Sequence, residues 1–340
     1  MHSGMTGTGE TNMTATTQMT NLFTHLQGVG IPKAFARKVL PDWWDDSITS
    51  SDAGLQQAQL YLSKAFNLDI ASLVSEEEPP RFRQVVHKFK MNKNVSEDQV
   101  TASAHYATAM ARLALQATDE AYTPPSVNPI ELRDQILQAA QCVDLSALLM
   151  WCKTAGIPVL HIEQLPGKKM TGLAIRLHDR FAVVLSRKAH PSELLFHLAH
   201  ELGHIANGHL NSDGFLADLQ IGAGDRGDAD EKEADAYAIR LLNGVAVKYS
   251  AGGRIVSGVQ LYRAAKALSE RERIDVGHII LNYGHAQEQF PLAKAALKHV
   301  AGSDCGSAVV NSALFEFIDD ERLSEDQLTL LHTATNFSAI

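Results

Sequence analysis

The sequence predicts an α+β protein, mainly helical, with one small antiparallel sheet. Three observations support this. Apolar residues recur at three- and four-residue steps over most of the chain, as one face of a helix requires. Between Ile157 and Val184 the period shifts toward two, with short β-prone runs separated by Gly, Pro, Lys and Asp. The chain has 340 residues, 45% of them apolar, enough to bury the cores of about two domains. Thirty Lys and Arg against 39 Asp and Glu leave a formal charge of −9, which argues against binding phosphates by clustered cations alone. The three cysteines, Cys142, Cys152 and Cys305, contain no CxxC pair, so neither a disulfide framework nor a cysteine zinc knuckle is expected. With no export signal and no apolar run of membrane-spanning length, the expected compartment is the cytoplasm, without membrane partners.

The elements follow in order. Residues 1–20 are rich in Thr, Gly and Met and poor in large aliphatic side chains, which predicts a disordered tail. Residues 21–122 read as a helical domain. Its apolar positions include Leu22, Phe23 and Leu26, then Leu55, Ala58 and Leu62, with Ser51 or Asp52 as a cap and a second helical stretch from Ser96 to Ala121. EEEPP at 76–80 marks a break, and RFRQVVHKFKMNKN at 81–94, with five Lys or Arg, reads as a solvated basic face. TPPSVNP at 123–129 holds three prolines and reads as an interdomain linker. A second domain is expected over 130–300, with helical residues 130–153 followed by the sheet, and a helical extension over 301–340. Pro191, Ser192 and Glu193 open a helix, with Ser192 a candidate cap.

That helix contains His200-Glu201-Leu202-Gly203-His204, an HExxH pattern. Residues i and i+4 lie about 40° apart around a helix, so both imidazoles project to one side and can share a tetrahedral metal. Zn2+ lowers the pKa of its water to about 7, and Glu201, about 100° round from His200, is placed to take the proton. A catalytic zinc needs a third protein ligand. Glu231 and Asp235, again i and i+4, sit on one face of a downstream helix, so Glu231 can reach the metal while Asp235 accepts an N–H from a ligating imidazole. Two competitors exist. His209 is one residue short of the metzincin spacing, and Asn207 stands where that pattern has Gly. Glu233 is displaced by about 200° from Glu231 and would no longer share its face with Asp235. The connecting segment, with Asp213, Asp218, Asp225, Asp228 and Asp230, reads as an acidic, mobile loop that could favour a cationic peptide. His278 and His285 are candidate oxyanion donors.

Residues 171–242, with Phe196, Ala199, His200, Glu201, Gly203 and His204 in an F-x-x-A-H-E-x-G-H motif, resemble the ImmA/IrrE family of bacterial metallopeptidases. Glu231, Glu233, Ala234, Tyr237 and Ala238 fit its second motif, E-x-E-A-x-x-[FY]-A. The resemblance implies a zincin-like catalytic domain, zinc held by His200, His204 and Glu231, and Glu201 as general base. It also implies a zinc-dependent endopeptidase that cuts a regulatory protein such as a transcriptional repressor or antitoxin.

Family members often carry a helix-turn-helix domain ahead of the peptidase, and LQQAQLYLSKAFNLDIASLVSE resembles the closing helices of an XRE-type module. The expected reader position holds Pro41-Asp42-Trp43-Trp44-Asp45-Asp46, whose carboxylates repel DNA phosphates, although Lys33, Arg37 and Lys38 precede it. The N-terminal region therefore reads as a degenerate module for DNA, for a partner protein, or for self-association. Trp43 and Trp44 fit either a core or a partner anchor. The alternative to a peptidase is a non-catalytic, metal-stabilised transcriptional regulator or partner-binding protein acting through this region, in which Glu201 has no task.

Overall fold

The computed structural model describes residues 7–75, 77–84, 86–90, 97–218, 229–245, 249–250, 255–300 and 306–337. Its helices are α1 (Gly7–Gly28), α2 (Lys33–Lys38), α3 (Asp52–Ala65), α4 (Ile70–Val74), α5 (Glu97–Gln116), α6 (Pro129–Leu137) and α7 (Leu145–Thr154), then α8 (Pro191–Ala206), α9 (Ala229–Asn243), α10 (Gly258–Glu272), α11 (Val276–Ala286), α12 (Phe290–Leu297), α13 (Gly306–Phe315) and α14 (Glu325–Thr335). The strands are β1 (Val86–Lys90), β2 (Val159–His161), β3 (Gly172–Leu177), β4 (Arg180–Leu185) and β5 (Gly214–Asp218), in the order β1-β5-β3-β4-β2. Among the described residues, no helix is long and apolar enough to cross a membrane.

The α+β, mainly helical class holds, but the sheet is mixed. β3 pairs antiparallel with β4 and β5, whereas β2 runs parallel to β4 and β1 parallel to β5. The β3–β4 hairpin closes through His178 and Asp179, both at positive φ, as a two-residue turn of the type matching strand twist demands. The Asp213 carboxylate accepts the His178 N–H at 2.8 Å. Two strands arise where the sequence predicts none. β1 lies inside the basic 81–94 segment, and β5 inside the stretch read as an acidic loop. Neither run shows clean alternation: β5 gains its hydrogen bonds by pairing with β3 and β1, and β1 by pairing with β5 across more than a hundred residues of chain, a tertiary effect that local propensity does not encode.

Two further expectations are corrected. The tail predicted over 1–20 is helical from Gly7, with Met19 buried. The stripe of Met19, Leu22, Phe23 and Leu26 anchors α1, and extending an existing helix costs far less than nucleating one. The cap of α8 is His190 rather than Ser192: its Nδ1 accepts the Ser192 N–H at 3.1 Å, and the Glu193 carboxylate accepts the His190 N–H at 3.0 Å, with Pro191 at the first helical position. Where a DNA-reading helix would lie, Asp42 and Trp43 form a turn before a 3-10 helix at Asp46–Ser50, opened by the Asp45 carboxylate accepting the Ser47 N–H. Trp44 packs against the main core, while Trp43 is 53% exposed.

Nor does the proline-rich 123–129 segment separate two cores. Alternate residues of the strands point to opposite faces, as the pleat dictates. Leu160, Leu173, Ile175, Val184, Phe215 and Ala217 join a cluster with α1 to α5 and with Leu314, Leu330 and Leu331. Val159, Ala174, Val183, Leu185 and Leu216 join the opposite cluster, with α6, α7, α8 and α9. The N-terminal helices are thus one layer of a three-layer arrangement. The Arg180 guanidinium fastens that layer by donating to the carbonyls of Leu115, Thr118 and Glu120 at the end of α5.

A third cluster, formed by α10, α11 and α12, is joined to the second through Arg133 on α6. This buried guanidinium donates to the carbonyls of Leu241 and Leu242 at the end of α9, and to those of Glu272 and Arg273 at the end of α10, over 2.7–3.2 Å. It satisfies helix-terminal acceptors that lack intrahelical donors. Replacing Arg133 with Met keeps the stem and removes all four donors. We expect a loss of about 3 kcal/mol in chemical denaturation, set by leaving buried carbonyls without donors. A change below about 0.5 kcal/mol would show that water takes over the role of the guanidinium.

Candidate metal centre

Helix α8 forms because Leu194, Leu195, Leu198, Ala199, Leu202 and Ile205 give it a stripe that buries against the sheet. His200 and His204 are buried on this helix and lie one turn apart. Helix α9 crosses it closely. A Cβ at Gly203 would lie 3.0 Å from the Cα and the carbonyl oxygen of Ala234 and 3.1 Å from the Cβ of Tyr237, so a larger residue would press α9 away by a few tenths of an ångström. The closeness brings Glu231, one turn before Asp235 on α9, over the two histidines.

His200 Nε2 and His204 Nε2 lie 3.0 Å apart. The Glu231 carboxylate spans both, with Oε2 at 3.4 Å from His200 Nε2 and Oε1 at 3.3 Å from His204 Nε2. All three side chains are at most 6% exposed. Their ligand atoms fall within 4.8 Å of one another, so His200, His204 and Glu231 could hold a metal ion. The donor chemistry fits one. His200 Nδ1 lies 3.0 Å from Asp235 Oδ1, and an ionised carboxylate only accepts, so the proton sits on Nδ1 and Nε2 presents a lone pair. That lone pair points at a buried carboxylate and a second imidazole nitrogen, an arrangement in which a cation replaces repulsion with coordination. Two imidazoles and one carboxylate suit zinc, with a fourth position left for water or substrate.

Glu201 is 1% exposed and lies beside the first residue of β3. A Cβ at Gly172 would sit 2.3 Å from Glu201 Oε1 and 2.9 Å from its Cδ. Gly172 therefore leaves the space that the Glu201 carboxylate occupies. Sequence reasoning passes over this residue; its one signal is a glycine opening a strand, which often marks a close approach of another group.

The structure brings His200, Glu201, His204, Glu231 and Asp235 together. The two competitors for third ligand are also nearby but one step further out: His209 Nδ1 faces His204 Nδ1 at 2.7 Å, and Glu233 Oε2 lies 3.2 Å from His209 Nε2. The candidate oxyanion donors are placed elsewhere. His278, in the first turn of α11, stacks on Phe196 at 6.4 Å between centroids, and Phe196 in turn lies 6.4 Å from His200. Burial pulls His278 down to about 4, so it is a neutral imidazole at pH 7. His285, in the last turn of α11, meets Phe290 edge-on. The Tyr237 hydroxyl donates to the Ser126 carbonyl at 2.8 Å, tying α9 to the proline-rich segment. Of the acidic residues between the two motifs, Asp225 and Asp228 lie outside the described residues.

Compared with known proteins, the chain matches no family model and no curated protein.

Proposed function

We propose that the protein is a zinc-dependent endopeptidase with a zincin-like catalytic site. The observation that carries this reading is the buried trio of His200, His204 and Glu231 with the Glu201 carboxylate on the adjoining residue. A bound zinc ion would supply Lewis acidity, polarising the scissile carbonyl and making water a competent nucleophile at neutral pH. His200, His204 and Glu231 would hold the ion. Asp235 keeps the His200 proton on Nδ1 and the ring in place. Glu201 accepts a proton from the attacking water as its oxygen bonds to the carbonyl carbon. It then delivers that proton to the leaving nitrogen as the C–N bond breaks. Burial of Glu201 beside β3 excludes bulk water from that transfer.

A structural zinc site would use the same three ligands but would have no need of a buried carboxylate in the next position, nor of a glycine opposite it. The resemblance of residues 171–242 to the ImmA/IrrE peptidases suggests a protein substrate, a repressor or antitoxin cut at a restricted site, in the cytoplasm.

The test is metal-dependent proteolysis by the purified full chain against a proteome-derived peptide library, read by mass spectrometry. Chelation is expected to abolish cleavage and one equivalent of Zn2+ to restore it. A zinc-loaded, folded protein that cleaves neither the library nor any co-expressed repressor would overturn the peptidase reading in favour of the non-catalytic one.

A further inference from the structure

His204 Nδ1 meets another imidazole, His209, which in turn meets carboxylates at the surface. Glu233 Oε2 lies 3.2 Å and Asp230 Oδ1 3.9 Å from His209 Nε2. The His204 side chain is fully buried and that of His209 6% exposed, while the Glu233 side chain is 62% exposed. The chain of contacts runs from the metal ligands outward to solvent.

Its polarity follows from the donor inventory. Ionised Glu233 and Asp230 only accept, so His209 Nε2 carries a proton. A neutral imidazole then has its lone pair on Nδ1. The nitrogen facing it at 2.7 Å, His204 Nδ1, must supply the hydrogen. With its proton on Nδ1, His204 turns a lone pair on Nε2 toward His200 Nε2 at 3.0 Å and Glu231 Oε1 at 3.3 Å. The opposite polarity would aim a lone pair of His209 at two carboxylates and place a hydrogen on the His204 nitrogen that has to ligate.

We infer that His209 and Glu233 are positioning residues for the metal ligand His204, fixing its ligating tautomer through a His204–His209–Glu233 chain that begins at the protein surface. The inference rests on reading the buried trio as a metal site. It gives His209 and Glu233 a task although neither is a ligand, and it makes metal retention sensitive to what happens at an exposed carboxylate.

The test uses the full chain and Zn2+ alone, with affinity read by competition against a chromophoric chelator and the His204 tautomer read by long-range 1H–15N correlation on metal-free protein. His209→Phe is expected to lower zinc affinity about 10- to 100-fold, the range typical for loss of an orienting partner. It should also convert His204 from the Nδ1–H form to a mixture. His209→Gln, whose carbonyl accepts and whose amide donates, is expected to restore both readouts to within about threefold of wild type. Glu233→Ala is expected to cost about three- to tenfold, since Asp230 remains within reach. If His209→Phe fails to fold, Glu233→Ala decides, because its side chain lies at the surface. Wild-type affinity together with an unchanged His204 tautomer in Glu233→Ala and His209→Phe would overturn the inference. A wild-type chain that binds no zinc would overturn the metal reading instead, and the tautomer measurement would still decide whether the chain orients His204.

Discussion

Glu201→Gln is expected to reduce peptide hydrolysis about 10²- to 10⁴-fold while leaving zinc content unchanged. Gln has the shape of Glu and can sit beside Gly172 without altering the packing of α8, so fold and metal ligands are preserved. It cannot accept a proton at neutral pH, and both halves of the reaction, activation of water and protonation of the leaving nitrogen, lose their carrier. The separation of the two readouts gives the test its force. Cleavage at wild-type rate with Gln at this position would remove Glu201 from the mechanism. Equal loss of zinc and activity would make it a structural residue. A biological output that persists in the absence of cleavage would favour the non-catalytic regulator.

Gly172→Ala is expected to produce the second largest effect, from a residue with no reactive group. The added methyl would stand 2.3 Å from Glu201 Oε1, a separation that real contacts do not reach. The atom in the way is the far end of a side chain rather than backbone, so Glu201 can swing aside at little cost to the fold. A displacement on the order of 1 Å in a catalytic group costs about 100-fold in rate. We therefore expect kcat to fall about 100-fold, with thermal stability nearly unchanged and zinc affinity within about threefold of wild type. Full activity in the alanine variant would mean that the carboxylate works from another position.

The cluster of His200, His204 and Glu231 was largely legible in the sequence because its geometry is local. His200 and His204 share a face by helical period alone, and Glu231 and Asp235 repeat that logic on α9, where the structure finds Asp235 against His200 Nδ1. Contacts that depend on crossing angle were not legible. Whether His209 reaches the metal or the back of His204 depends on the turn at Gly208, with its φ of 69°, and on how tightly α9 seats on Gly203. The sheet was legible only in its middle. β2, β3 and β4 carry apolar runs, whereas β1 and β5 are polar or Gly-led segments whose strand character comes from pairing, β5 with β3 and β1 with β5. The proline-rich 123–129 segment shows a related limit. Prolines report a stiff, extended path, but they carry no information about which apolar surfaces meet on either side of it.

The shared face of the sheet has a consequence for how the protein can be divided. Leu173 and Ile175 of β3, the strand that begins with Gly172, are covered by the N-terminal helices and α14, not by the helices that carry the metal ligands. Cutting the chain at its prolines would therefore strip the outer wall from the strand that shapes the space around Glu201. Any event that loosens those helices, whether a bound partner or a proteolytic nick, acts on the back of a strand whose first residue lies against the Glu201 side chain. The N-terminal half is in this sense part of the chassis of the candidate site, and a signal received there needs no hinge or linker to be felt at Glu201.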